Sequence, residues 1–116
     1  MIGTKKLKKY RELVQSRIAE LNRSITAAQE QARALGTRHA DAMDQAATEY
    51  EKQVALHKAT ADRQLLQKLM RALERIRAGN FGECAECGGE IEAKRLEAIP
   101  WAQYCIKCQQ ALEQNL

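Results

Sequence analysis

This chain has a single proline, Pro100, and few aromatics: one tryptophan, one phenylalanine and three tyrosines in 116 residues. So few large rings argue against a big all-β core, and with no earlier proline nothing forbids long helices before position 100. No apolar run approaches the ~18–20 residues of a membrane-spanning helix. The opening residues MIGTKKLKKYREL contain no apolar stretch of the kind that drives secretion, so a soluble cytoplasmic protein is expected. Strong charge of one sign is also missing. The formal net charge is +4, and four cysteine thiolates around one Zn²⁺ would make it +4 − 4 + 2 = +2. The clearest basic cluster is Lys5, Lys6, Lys8, Lys9 and Arg11. It can meet nucleic acid or an acidic partner, but a solvated helix end carries the same residues.

What is abundant is Ala, Gln, Glu, Lys, Leu and Arg, the composition of long helices. A chain this short is one domain or a small domain plus an appendage, and it cannot bury a large core. Val14, Ile18, Leu21, Ile25, Ala28, Ala32 and Leu35 recur at alternating steps of four and three, with Leu7 and Arg11 extending the phase. That is a heptad seam, closed by Gly36. A second stripe runs through Ala47, Tyr50, Val54, His57, Ala61 and Leu65 to Leu69, Leu73 and Ile76, slipping phase near Ala61–Leu65. Gly79-Asn80 ends it. The arms Leu7–Gly36 and Ala47–Ile76 are equal, about 45 Å of helix each at ~1.5 Å per residue. The expected fold is therefore mostly α: a long antiparallel coiled-coil hairpin over residues 1–79 with its tip at about 37–46, then a small tail over 80–116. Alanines near the turn would keep the tip slender. His57 is expected to pack in the seam, and His39 to be solvated in the turn.

The tail holds all four cysteines. Cys84, Cys87, Cys105 and Cys108 form C-x2-C-x17-C-x2-C, two turns that each present a pair of sulfurs. Together they can complete a tetrahedron around one Zn²⁺ with no position open for water, so the ion would be structural. Disulfides would need an oxidising compartment, and a thioredoxin-like site needs only one pair in a βαβ setting. An iron–sulfur cluster is the main remaining alternative. With almost no apolar core of its own, such a tail would depend on the metal to fold.

The fuller pattern C-x2-C-x3-I-x3-R-x4-P-x4-C-x2-C, met by Cys84, Cys87, Ile91, Arg95, Pro100, Cys105 and Cys108, resembles the zinc finger of the DksA/TraR family. NFG precedes it and RLEA lies inside it; Ala85 departs from the family's usual Asp, Glu or Ser at a position that binds no metal. That family also carries D-x-x-D-x-A at a hairpin tip, present here as Asp41, Asp44 and Ala46. Aspartates also cap helices, and both uses are compatible.

The resemblance implies a non-enzymatic transcription regulator. It would bind RNA polymerase directly, as a monomer, without sequence-specific DNA contact. The acidic tip would enter the secondary channel to modulate initiation, Ala46 keeping it narrow. The competing readings are a DNA-binding zinc-finger protein using the basic N-terminal cluster and finger lysines such as Lys94 and Lys107, and a structural coiled-coil adaptor. Many family members also respond to guanosine tetraphosphate. The matching contact positions are Leu65, Lys68, Ile99 and Gln109. The first two agree with the family, whereas Ile99 and Gln109 stand where it supplies cations, which implies weak nucleotide binding.

Overall fold

The computed structural model describes residues 2–36 and 42–115, with backbone alone at 32, 35, 36 and 42–47. Four helices account for most of it: α1 (Thr4–Gly36), α2 (Ala42–Ala78), α3 (Ala93–Ala98) and α4 (Ile106–Gln114). As the periodicity predicts, α1 and α2 form a hairpin of two long helices. α2 starts five positions ahead of the expected Ala47, which brings Asp44 and Ala46 into its first turns. It closes as expected. Gly79, at φ +83°, lets its own N–H (3.0 Å) and that of Asn80 (3.1 Å) both reach the Arg75 carbonyl.

The contacts divide the chain into two compact units. One joins Met1–Arg17 to Lys68–Leu116; the other is Ile18–Gln67.

In the first unit, Val14 and Leu69 are fully buried, with Ala72, Ile76, Phe81, Ile91 and Leu96 around them. The finger therefore has a core after all. Phe81, Ile91 and Leu96 pack with the start of α1 and the end of α2, residues distant in sequence whose joint burial no local pattern reveals. Tyr10, not Arg11, continues the α1 seam here, and its ring lies 5.1 Å from that of Phe81. Arg11 is exposed. Gly82, at φ +88°, adopts a backbone that favours glycine, and an added Cβ would come within 2.8 Å of Ile2 Cδ1.

In the second unit, Ile25 and Ala59 are buried, with Ile18, Leu21, Ala28, Ala55 and Leu66 half-buried. The α2 face turned inward is not the expected one. Thr48, Lys52, Ala55, Ala59, Asp62 and Leu66 lead in unbroken 4-3 steps to Leu69, Leu73 and Ile76, with no phase slip. Tyr50, Val54, His57 and Ala61 are exposed, so the histidine is not a packed one. The reason is mechanical. Thr48, Lys52, Ala55, Ala59, Asp62 and Leu66 share one face of a continuous helix, so burying Ala59 with Leu66 turns the residues between them inward whatever their chemistry. Asp62 meets the seam through a small polar cluster: it accepts from Ser24 Oγ at 3.2 Å and pairs with Lys58 Nζ at 3.1 Å, while Lys58 also donates to Ser24 at 2.8 Å.

Candidate metal centre

The cysteine pairs reach one point by two different local structures. Cys84 and Cys87 sit on a knuckle pinned by an isolated antiparallel bridge between Glu83 and Glu90. The Cys84 N–H donates to the Gly89 carbonyl (2.7 Å), and the Gly88 N–H returns to the Cys84 carbonyl (3.0 Å). Gly88 at φ +73° makes this turn possible, and the Gly89 N–H points at Cys87 Sγ from 3.4 Å. Cys105 caps α4 and Cys108 lies one turn inside it, so both sulfurs share a helix face. Their placement is tied to the rest of the finger. Ala85 N–H donates to the Gln103 carbonyl at 2.8 Å, and Arg95 Nε to the Tyr104 carbonyl at 3.0 Å.

Four sulfur atoms lie within 4.8 Å of one another. Zinc bound at about 2.3 Å in a tetrahedron requires sulfurs about 3.8 Å apart, and Cys87 and Cys105 stand at 3.9 Å. The donor set and its spacing fit Zn²⁺. The thiols also perturb one another. Burial pushes Cys84 up, but backbone N–H groups of Cys87, Cys105 and Glu86 and the Cys108 thiol outweigh it and bring Cys84 down to about 6. Cys108 goes up to about 12, through hydrogen bonding to Cys105, burial and the crowding of Cys84 and Cys87. Four such sulfurs cannot all ionise without a compensating cation, which is what a divalent metal supplies.

Two residues supporting this centre were not singled out by sequence. The Glu92 carboxylate accepts the Ile106 N–H at 3.2 Å, closing the first turn of α4 beside Cys105. Its own and the Ile106 backbone N–H groups, with Arg95 and Lys107 nearby, hold it below the usual carboxylate range. Arg75 donates to the Asn80 carbonyl (3.2 Å) and the Glu83 carbonyl, joining the end of α2 to the knuckle. Each partner is a backbone group, so side-chain patterns give no signal.

The other expected site residues are distributed as follows. Asp41 lies outside the described residues, while the backbones of Asp44 and Ala46 are in α2. Lys68, Ile99 and Gln109 line one open cleft of about 460 Å³ in the first unit, with Arg71, Arg95 and Trp101. Leu65 is not among its lining residues. Arg71, one helical turn from Lys68, is the cation that sequence reasoning passed over, and the i, i+3 spacing was the available signal. Arg17 sits 5.7 Å from the centre of the Trp101 ring, a cation–π contact bracing the cleft wall. No helix among the described residues is long and apolar enough to cross a membrane.

Comparison with known proteins agrees with this architecture. Residues 79–114 match the prokaryotic dksA/traR C4-type zinc finger. The RNA polymerase-binding transcription factor DksA of Escherichia coli K12 is 35% identical over 94 residues, covering 81% of this chain and 60% of the relative. The protein of that name in Buchnera aphidicola is 38% identical over 77 residues, 66% of this chain and 51% of its own. The chain thus spans half to three-fifths of the length of these curated relatives. The structure of transcription factor DksA2 from Pseudomonas aeruginosa superposes with a TM-score of 0.88 at 29% identity, over 97% of this chain and 86% of that one. With its C4-type zinc finger and helical hairpin, the chain belongs to the DksA/TraR family.

Proposed function

We propose that this chain binds RNA polymerase directly and modulates transcription initiation through the acidic tip of its hairpin, with no turnover of its own. The likeness to DksA2 along nearly the whole chain carries this reading. The names of the relatives, RNA polymerase-binding transcription factors, supply the partner. Asp41 and Asp44 would present carboxylates to the Mg²⁺ and basic groups of a polymerase active region. The zinc finger would orient the rod. Action in the cytoplasm, as a monomer and without sequence-specific DNA contact, follows from the same reading.

Guanosine tetraphosphate would contribute little. Ile99 and Gln109 offer no positive charge where the family supplies it, and Arg95 has its Nε committed to Tyr104. Charge-assisted hydrogen bonds contribute roughly 1.5–3 kcal/mol each, so two missing partners weaken binding on the order of 100-fold or more. Lys68 and Arg71 remain to hold a phosphate weakly.

The test is transcription initiation with purified polymerase, scored beside binding. Asp41→Asn and Asp44→Asn should abolish regulation while leaving polymerase affinity within a fewfold. Unchanged regulation by both variants would reduce the tip to a helix cap. The DNA-binding alternative draws on Lys5, Lys6, Lys8, Lys9 and Arg11, all exposed. Steeply salt-dependent binding to duplex DNA with no affinity for polymerase would favour it.

A further inference from the structure

α2 carries two heptad stripes on opposite faces, and the one turned outward is the more aromatic and apolar over this stretch. Tyr50 is 72% exposed and Val54 50%, and exposed His57 and Ala61 continue the row. The inward positions over the same length are Thr48, Lys52, Ala55, Ala59 and Asp62. Hydrophobicity alone would have turned the helix the other way. Gln53, Thr60 and Gln64 flank the outer row, and with Leu56, His57 and Ala61 they line a shallow groove of about 390 Å³. The strip thus has a tyrosine at one end, neutral hydrogen-bonding groups along one edge, the exposed Glu51 and Lys58 along the other, and no carboxylate in its row. A rigid, amphipathic ring over a polar rim is the usual make-up of an anchoring contact.

We propose that this outer stripe is a docking surface for RNA polymerase, which it would meet along the side of the hairpin while the tip is engaged. The inference rests on the polymerase-binding function proposed above. Two observations select this occupant. Tyr50 lies six residues beyond Asp44 on one helix, about 9 Å along its axis, so a partner that receives the tip also lies beside the stripe. A second copy of this chain is a poor alternative. The row from Tyr50 to Ala61 is only about 17 Å long, too small for the roughly 800 Å² per partner of a stable interface. A patch of this size works when the rest of the molecule is already held, which is how the tip and the stripe would act together.

The experiment measures binding of the zinc-loaded full chain to purified bacterial RNA polymerase, with sedimentation of the free chain in parallel. Tyr50→Ala/Val54→Ala should weaken binding about tenfold or more, with helicity and melting temperature unchanged because both side chains are exposed. Met70→Ala, on the same helix but off both the stripe and its groove and 56% exposed, should bind as the parent does. Equal binding by the double variant overturns the proposal, as does an equal loss in Met70→Ala. A parent chain that dimerises, and a double variant that does not, would assign the stripe to a second copy and also overturn it. A parent that fails to bind polymerase at all refutes the underlying function, a result distinct from these.

Discussion

The unit joining Met1–Arg17 to Lys68–Leu116 and the unit Ile18–Gln67 are built from the same two long helices, yet they are held by different means. The first has Val14 and Leu69 fully buried, an aromatic pair, and a four-cysteine metal centre. The second buries Ile25 and Ala59, puts a polar cluster in its seam, and leaves Tyr50 and Val54 outside. The lesson is that one helix can bury its large apolar side chains at one end and leave them exposed at the other.

Removing the metal should disturb this contrast most. Apparent zinc binding free energies in small fingers are about 10–16 kcal/mol, and that energy is folding energy. Chelation, or Cys105→Ser, should therefore erase amide-exchange protection at Ile91, Leu96 and Val14 while Ile25 retains some. Protection lost in step at all four would mean that the units unfold as one. Acid should act in the same direction, because protons compete with zinc for the thiolates.

A smaller effect separates the two ends by packing alone. Leu69→Ala empties a fully buried site and should cost roughly 2–5 kcal/mol in denaturant melts of the zinc-loaded chain. Val54→Ala, half-exposed, should stay within about 0.5 kcal/mol. Comparable losses would show that the outer stripe is packed in solution.

The smallest effect belongs to Glu92. Its folded pKa is depressed, so its contribution is present above the unfolded pKa and fades as pH falls through the folded one. Glu92→Gln should lower the melting temperature slightly at neutral pH, and the difference from the parent should vanish with acidification below the ordinary carboxylate range. A gap that persists there would assign the role to shape instead of charge.

Much of this architecture is legible from sequence because its signals are local. The 4-3 spacing of Val14, Ile18, Leu21 and Ile25 gives α1, Gly79-Asn80 gives the end of α2, and two C-x2-C turns give the metal centre. The phase of α2 is not legible in the same way. Apolar residues occur on two of its faces, and the row of Tyr50, Val54, His57 and Ala61 is less polar than that of Thr48, Lys52, Ala55, Ala59 and Asp62. Only tertiary packing, which buries Ala59 and leaves Tyr50 and Val54 exposed, decides between them. Glu92 reaching Ile106 and Arg75 reaching Glu83 are likewise invisible, since each joins a side chain to a distant backbone group.

The metal-bearing unit takes its residues from both sides of the other, and this has a consequence for synthesis. Val14 belongs to the same compact unit as Phe81, Ile91 and Leu96 of the finger, and the finger needs Cys108. At ~5–20 residues per second, translation from position 14 to position 108 takes on the order of 10 s. For that interval the early part of α1 leaves the ribosome with its apolar face unpaired, while Ile18–Gln67 can already close upon itself. Capture of zinc would then mark the moment when a nascent chain has become complete enough to escape chaperones and proteases.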